Sequence, residues 1–271
     1  MLKTEMRNPN TMHIDQMTSL EMAQAMSREN YRAAEAVEEQ LTVIAQAIDI
    51  VAEAFNSDKR LFFIGCGTSG RLGVIDAVEC PPTFGADPSM VKGIIAGGPK
   101  RVFSASENEE DLDDQGRLDI EENGVAAGDV VVGVSVAGGA AYVVGGLEKA
   151  RELGAKTIAL TCNEDSAIGK VSDLTICTDT GAEVITGSTR LKAGTAHKMV
   201  MNMLTTCAMV KTGRVYENMM VNLKPYNIKL RERVINIVCD ICHCDRSKAV
   251  ALLDATDWEI RAAADLYHTQ Q

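Results

Sequence analysis

Residues Leu61-Phe62-Phe63-Ile64-Gly65-Cys66-Gly67-Thr68-Ser69-Gly70-Arg71 decide the fold of this chain. A short apolar run ends in a glycine-rich loop, and the amphipathic stretch that follows ends at Glu79-Cys80-Pro81-Pro82. This order is typical of a strand, a phosphate-binding loop and a helix whose N-terminus offers backbone N–H groups to an anion. The loop also matches G-x-G-x-x-G, the dinucleotide fingerprint, so its ligand has to be decided from the surrounding residues.

A dinucleotide site requires an acidic residue at the end of the next strand, about 20 residues further on. Here the next apolar run ends in Ala96-Gly97-Gly98, which offers no carboxylate. Thr68 and Ser69 instead place two hydroxyls beside the N–H groups of a helix start, which suits a monophosphate dianion. We therefore predict a phosphate site at Gly67, Thr68, Ser69 and Arg71; the alternative is a tight turn without a ligand.

Composition limits the possible partners and locations. The 271 residues suffice for one α/β domain and a small appendage. A formal net charge of −11 argues against nucleic acid and anionic membranes, since both require a basic surface. No apolar run approaches the roughly 20 residues of a membrane span, and the first residues lack the apolar core of a signal peptide. We expect a soluble cytoplasmic protein that binds a small molecule.

Eight cysteines without an export signal favour reduced thiols over disulfides. The sequence Cys239-Asp240-Ile241-Cys242-His243 matches the C-x-x-C-H of haem attachment, but that chemistry requires export. With Cys244 the cluster offers zinc ligands, yet no second ligand pair follows at a suitable spacing. We predict cysteines that pack between helices, and no metal.

Apolar periodicity predicts an alternating order of elements. Residues 19–56 have helical spacing and form two helices, and residues 145–153 form another helix with a stop at Gly154. Strands that alternate with helices imply a parallel sheet covered on both faces, a three-layer α/β sandwich. The five predicted strands are residues 61–64, 91–96, 130–136, 157–161 and 174–177.

The remaining chain is predicted to be helical. Residues 188–210 form a long core helix, and residues 231–242, 247–255 and 257–267 form a small bundle with Ser247 and Asp257 as N-caps. This bundle faintly resembles a ubiquitin-associated fold. We expect an N-terminal helical segment at 1–57, an α/β domain with the phosphate site at 58–225 and a C-terminal bundle at 226–271.

A second anion-binding loop is predicted just before the long helix. Thr186-Gly187-Ser188-Thr189-Arg190-Leu191-Lys192 brings hydroxyls and two cations to a helix start. Ser188, Thr189 and Lys192 are the candidate ligands. Ordinary helix capping by Ser188 or Thr189 explains the same residues equally well.

Three segments together resemble the N-acetylmuramic acid 6-phosphate etherase family. They are Gly65-Cys66-Gly67-Thr68-Ser69-Gly70-Arg71-Leu72-Gly73-Val74 with Glu79-Cys80-Pro81-Pro82-Thr83-Phe84-Gly85, residues 186–196, and Arg7-Asn8-Pro9-Asn10-Thr11. The likeness covers residues 4–223. It implies a sugar isomerase (SIS) fold, which is a flavodoxin-like αβα sandwich, and a homodimer without a cofactor.

The resemblance also implies a reaction and two catalytic residues. Enzymes of this family cleave the lactyl ether of N-acetylmuramic acid 6-phosphate in cell-wall sugar recycling, and the family's two glutamates match Glu79 and Glu107. One carboxylate removes the C2 proton of the open-chain aldehyde, and the other group protonates the departing lactate. The acid needs a pKa raised by roughly 2 to 3 above its reference. We assign Glu79 as the acid and Glu107 as the base, with the order left open.

Two departures from the family qualify this expectation. The family's Ala-Ala-Ser-Gly-Arg-Thr-Pro after the third strand is replaced by Ser135-Val136-Ala137-Gly138-Gly139-Ala140-Ala141, where Ser135 is the candidate ligand. His197 replaces a glutamine, and we interpret it as a helix-surface residue rather than a new polar contact. Two alternatives therefore stay open: a lyase for a related sugar phosphate, and a non-catalytic regulator similar to the glucokinase regulatory proteins.

Overall fold

The computed structural model describes residues 2–105, 108–223, 225 and 227–270. They form two compact units. The first unit comprises Met1–Ala77 and Ser89–Ala208, and the second comprises Val78–Pro88 and Met209–Gln271. The chain thus contributes two segments to each unit, and the division expected at residues 57 and 225 stays a prediction.

Two helices lead into the first unit: α1, Ser19–Glu38, and α2, Leu41–Asn56. Thr18 and Glu21 form a capping box at the start of α1, since each side chain accepts a hydrogen bond from the backbone N–H of the other. Both helices are as the periodicity predicts. Three short 3-10 turns precede them, at Lys3–Glu5, Pro9–Thr11 and Ile14–Gln16.

A five-stranded parallel sheet forms the centre of the first unit, with the order β2-β1-β3-β4-β5. Every residue of β1 and β3 is buried, which explains why their sequences are continuous apolar runs. The register places Gly65 at the end of β1 beside Ile95 of β2 and Val134 of β3. The predicted α/β sandwich is confirmed. The strands are β1, Leu61–Gly65; β2, Val91–Ile95; β3, Val130–Val134; β4, Lys156–Thr161; and β5, Leu174–Cys177.

Helices alternate with these strands along the chain. The first of them, α3, packs closely on the sheet through glycines: a Cβ atom at Gly73 would lie 2.6 Å from Phe63 Cβ, and one at Gly93 would lie 2.5 Å from Val74 N. Only glycine permits this approach. The helices are α3, Gly67–Phe84; α4, Asp113–Glu122; α5, Ala141–Glu152; α6, Ala167–Lys170; and α7, Lys192–Lys211.

The ends of two helices differ from the predictions. Pro81 predicts that α3 stops at Cys80, but this prediction is wrong, since the helix continues through Pro81 and Pro82 to Phe84. A proline disfavours helical backbone at the preceding residue but does not forbid it. The helix ends instead at Gly85, whose φ is +60° and whose N–H donates to the Pro81 carbonyl at 2.9 Å. Helix α7 begins at Lys192 rather than at residue 188.

The second unit has its own apolar core. Besides the ends of α3 and α7, its described residues form a two-stranded hairpin, which sequence periodicity does not indicate, and three helices. The predicted N-caps Ser247 and Asp257 are wrong. The caps with side-chain hydrogen bonds are Asn227, which accepts from Leu230 N, and Asp245, which accepts from Lys248 N. The elements are β6, Val215–Tyr216; β7, Met219–Met220; α8, Ile228–Cys242; α9, Arg246–Asp254; and α10, Ile260–Thr269.

All eight cysteines are free thiols. Among the described residues, no three or more His, Cys, Asp or Glu side chains are grouped so that they could hold a metal ion. Within the same described ranges, no helix has the length and apolar character needed to cross a bilayer.

Candidate functional site

A cavity of about 440 Å³ lies at the carboxyl ends of the strands in the first unit. After β1 the next strand, β2, is added on one side of the sheet, whereas after β3 the strands β4 and β5 are added on the other side. Ligands of open parallel sheets bind at the point between two such strands, here between β1 and β3. The lining residues lie in the segments 66–71 after β1, 101–110 after β2, 134–140 at the end of β3 and 187–194 before α7, with Glu5 and Ala96 in addition. The volume is that of a small-molecule site.

The start of α3 supplies free hydrogen-bond donors to this cavity. Gly67, Thr68 and Ser69 all line it, and their N–H groups donate to no group within the described part of the chain. The first bonded amide of the helix is that of Gly70, which donates to the Cys66 carbonyl at 3.3 Å. Three adjacent N–H groups at the positive end of a helix dipole, beside two hydroxyls, are the kind of donors that phosphates bind in proteins.

Arg71 lines the same cavity and also holds the loop that follows β2. Its Nε donates to the Val102 carbonyl at 3.0 Å, and its Nη2 donates to the carbonyls of Arg101 at 2.8 Å and Ser104 at 2.6 Å. The guanidinium therefore connects the first turn of α3 to residues 101–104.

The start of α7 differs, because an internal carboxylate already occupies it. Glu183 is buried and accepts hydrogen bonds from Lys192 N at 3.2 Å and Ala193 N at 2.9 Å. The next amide, that of Gly194, donates to the Thr189 carbonyl. Burial raises the pKa of Glu183, although these N–H groups counteract the effect. The helix start that the sequence suggests as a second anion site is thus capped from within the protein.

The predicted ligands of this second loop have different positions. Thr189 lines the cavity and Ser188 does not. Lys192 is buried, and its Nζ lies 2.5 Å from Glu29 Oε2 in an ion pair. Glu29 also accepts from Asn8 and Asn10 of the N-terminal segment. The ammonium of Lys192 therefore joins α7 to α1 and does not line the cavity.

The segment after β3 forms one wall of the cavity, and hydrogen bonds within the protein hold its backbone in place. Ser135 is buried, lines the cavity and accepts a hydrogen bond from Gly138 N at 3.1 Å. The Val136 carbonyl accepts from Cys162 N at 3.0 Å and from Asn163 Nδ2 at 3.0 Å. The altered loop therefore faces the cavity as expected, but it presents no cation there.

His197 is completely buried, so its interpretation as a helix-surface residue is wrong. Its Nε2 lies 3.5 Å from Cys162 Sγ, and its Nδ1 has no hydrogen-bond partner among the described residues. Burial lowers the pKa of His197 to about 4, so the ring is neutral near pH 7. The sequence misses this because α7 is buried on several sides, which removes the amphipathic pattern that would mark its exposed face.

The two predicted catalytic glutamates are not brought together within the described residues. Glu79 is exposed, belongs to the second unit and does not line the cavity. Glu107 lies outside the described residues. Its neighbours Glu109 and Glu110 line the cavity, and Glu109 pairs with Arg101 at 2.7 Å.

Sequence reasoning missed several lining residues with polar side chains, namely Glu5, Cys66, Arg101, Ser104, Glu109 and Glu110. Burial first, and then the negative charges of Glu110 and Glu109, raise the pKa of Cys66 to about 12. Its thiol is therefore protonated at neutral pH and is not an activated nucleophile. No pattern in the sequence marks Glu5, because a contact across the fold brings it to the cavity.

Comparison with protein families agrees with this architecture. The profile described as "Glucokinase regulatory protein N-terminal SIS domain" matches residues 43–151, and "SIS domain" matches residues 116–207. A "UBA-like domain" profile matches residues 234–271, in line with the ubiquitin-associated likeness of the C-terminal bundle.

Two solved structures with similar folds are named phosphoheptose isomerases. Phosphoheptose isomerase GmhA from Neisseria gonorrhoeae has a TM-score of 0.54 and 21% identity, over 70% of this chain and 98% of that one. A phosphoheptose isomerase from Francisella tularensis has a TM-score of 0.53 and 18% identity, over 71% and 98%. At these identities the similarity concerns the fold.

Relatives at much higher identity are named N-acetylmuramic acid 6-phosphate etherase. The protein from Clostridium beijerinckii is 45% identical over 97% of this chain and 86% of its own length. Those from Vibrio campbellii and Serratia proteamaculans are each 47% identical over 97% of this chain, and the matches cover 85% and 88% of the relatives. With this identity along almost its whole length, the chain belongs to the N-acetylmuramic acid 6-phosphate etherase family.

Proposed function

We propose that this protein is a carbon–oxygen lyase that cleaves the lactyl ether of N-acetylmuramic acid 6-phosphate, giving N-acetylglucosamine 6-phosphate and D-lactate. The observation that carries the proposal is the 45–47% identity to etherases over 96–97% of the chain. The cavity supports it independently, because it combines the volume of a small-molecule site with free amide donors at the start of α3.

The substrate phosphate binds at the start of α3 in this proposal. Gly67, Thr68 and Ser69 supply N–H groups and two hydroxyls, and the guanidinium of Arg71 adds positive charge next to them. Hydrogen bonds to a charged group contribute about 1.5 to 3 kcal/mol each. Ser135 and Thr189 line the cavity and serve as contacts for the sugar. Ser188 and Lys192 take no part in binding, since neither lines the cavity.

The reaction needs one base and one acid. In the open-chain aldehyde, the base removes the C2 proton, the electron pair forms the C2–C3 double bond, and the C3–oxygen bond breaks. The acid transfers a proton to the departing lactate oxygen, and water then adds at C3. We propose Glu79 and Glu107 for these two roles, on the strength of their family motifs, and no cofactor takes part in the steps as written.

Glu79 does not line the cavity described above, so its proposed role calls for a different arrangement of chains. We propose a homodimer in which Glu79 serves the cavity of the partner subunit. We also propose a cytoplasmic location, which cell fractionation would test.

The deciding experiment is incubation of the purified protein with N-acetylmuramic acid 6-phosphate and enzymatic assay of D-lactate. We expect the wild type to release D-lactate. Glu79→Gln and Glu107→Gln should release none, although both variants should still bind N-acetylglucosamine 6-phosphate. Asp49→Asn, which replaces a carboxylate on α2, is the control and should keep full activity. Absence of lactate release from the wild type would overturn the etherase assignment.

A second function is favoured by one observation, the match of residues 43–151 to the glucokinase regulatory protein SIS profile. A regulator would bind a sugar phosphate without converting it. Micromolar binding of N-acetylglucosamine 6-phosphate by calorimetry, combined with no lactate release from the etherase substrate, would support this function instead. A lyase for a related substrate would release a different acid from a different 3-O-substituted sugar phosphate.

A further inference from the structure

We infer that Glu5 determines which ligands the cavity accepts, because its carboxylate accepts hydrogen bonds from hydroxyl or amide N–H groups of the bound sugar. The inference rests on the proposed function in that both concern the same cavity. Glu5 belongs to the 3-10 turn Lys3–Glu5 and is an exposed lining residue of the cavity. Glu5 is far from the other lining segments in the sequence, and the tertiary structure brings it close to them.

Contacts on both sides of Glu5 fix its backbone. Lys3 Nζ lies 2.5 Å from Asp179 Oδ2, and Thr4 is fully buried. On the other side, Asn8 Nδ2 donates to Glu29 Oε2 at 2.7 Å and to the Ala182 carbonyl at 3.1 Å. The N-terminal segment is thereby held against residues 179–182. A side chain on a segment anchored in this way is positioned for recognition rather than free to swing in solvent.

The carboxylate of Glu5 lies against another lining residue, Gly187. A Cβ atom placed on Gly187 would be 3.3 Å from Glu5 Oε2, which is a tight contact. Gly187 also has a φ of +75°, a conformation that favours glycine. The absence of a side chain at this position leaves room for the Glu5 carboxylate at the cavity wall.

The negative charge of Glu5 is not neutralised by an ion pair, unlike that of Glu109, another lining residue of the cavity. Glu109 forms an ion pair with Arg101, whereas Glu5 has neither an ion pair nor a side-chain hydrogen bond with any described residue. An additional negative charge opposes the binding of a phosphate dianion. It can favour binding only by accepting hydrogen bonds, since a carboxylate has no donor.

The negative charge of Glu5 determines which part of the ligand can lie against it. The phosphate and the lactyl carboxylate are both anionic and are repelled. The sugar hydroxyls and the N–H of the acetamido group are donors and are attracted. Glu5 thus favours a sugar phosphate over a simple phosphate, and it orients the sugar so that its donors face the Lys3–Glu5 turn.

The test compares two ligands by isothermal titration calorimetry: N-acetylglucosamine 6-phosphate and inorganic phosphate. In Glu5→Ala, we expect the Kd of the sugar phosphate to rise at least about tenfold, the loss typical of one hydrogen bond to a charged group. The Kd of inorganic phosphate should stay the same or fall, because a repelling charge is removed. Glu5→Gln, which retains a carbonyl acceptor, should show a smaller rise for the sugar phosphate.

Asp15→Ala is the matched control, because Asp15 is an exposed carboxylate of the same N-terminal segment that does not line the cavity. It should leave both affinities unchanged. Unchanged sugar-phosphate affinity in Glu5→Ala, or an equal loss for both ligands, would overturn the inference. If Glu5→Ala does not fold, Glu5→Gln decides by the same comparison. The assay of D-lactate by the wild type tests the proposed function separately, since ligand selectivity does not depend on turnover.

Discussion

Ser69 and Ser188 stand in similar glycine-rich segments, each next to the start of a helix. At Ser69 the first amides of the helix have no partner among the described residues, and the hydroxyl lines the cavity. Near Ser188 the first amides of the helix are bonded to the carboxylate of Glu183. A helix start binds a phosphate only when its N–H groups are not already used. The two serines therefore have different consequences for ligand binding.

Ser69→Ala should weaken the binding of N-acetylglucosamine 6-phosphate by about ten- to a hundredfold, the range for one hydrogen bond to a charged group. The backbone amides remain, so binding is reduced rather than abolished. Ser188→Ala is the matched control and should change the Kd less than about twofold, because Ser188 does not line the cavity. Calorimetric titration of both variants measures the effect. Equal losses in the two variants would contradict a phosphate site at α3.

At the scale of elements, the sequence predicts all five strands of the sheet, because each is a short branched or apolar run between turn residues. It does not predict where α7 begins. The hydroxyls of residues 186–189 resemble helix caps in the sequence. The residue that caps α7 is Glu183, nine residues before Lys192, whose carboxylate accepts a hydrogen bond from Lys192 N. The end of α3 is missed for a related reason, since the left-handed Gly85 terminates the helix after two prolines.

Helix α7 also carries a buried polar contact to the end of β4. The ring of His197 lies against Cys162, whose backbone N–H donates to the Val136 carbonyl at the cavity wall. A neutral imidazole is tolerated in this position, but burial disfavours a charged one and outweighs the hydrogen bond to the Thr161 backbone that favours it. The packing between α7 and β4 should therefore depend on pH.

The folded-state pKa of His197, about 4, lies below the ordinary value of 6.5, so protonation favours the unfolded state. The stability is fully present above pH 6.5 and declines toward pH 4, by about 3 kcal/mol in total at 1.36 kcal/mol per pH unit. His197→Gln should remove this decline. The measurement is the free energy of unfolding by urea at pH 7, 6, 5 and 4. Taking the difference between variant and wild type at each pH removes the contribution of the carboxylates, which both proteins share. His13→Gln changes an exposed histidine and is the control; its stability should fall with pH as that of the wild type does. If the stability of His197→Gln falls in the same way, the His197 ring is not the cause.

At the scale of the whole molecule, the sequence indicates the side of the cavity at the start of α3 and misses parts of its other walls. Gly67, Thr68 and Ser69 follow one strand directly, so local patterns reveal them. Glu5 and Glu109 reach the cavity from distant segments, and only tertiary contacts bring them there. For Glu79 the motif is recognisable in the sequence, but a single sequence does not show which chain's cavity the side chain serves.

The proposed exchange of Glu79 between subunits can be tested with mixed dimers. Ser69→Asp places a negative charge among the free amides and should prevent phosphate binding, whereas Glu79→Gln removes the acid or base; each variant alone should be inactive. In a mixed dimer with two different affinity tags, the cavity with intact Ser69 receives intact Glu79 from the partner subunit. D-lactate release should therefore reappear in the doubly purified mixed dimer, because one of its two cavities is complete. If both residues act within one chain, every cavity lacks one of them and the mixed dimer stays inactive. Light scattering of the wild type, which should give twice the mass of 29.1 kDa, checks the dimer itself.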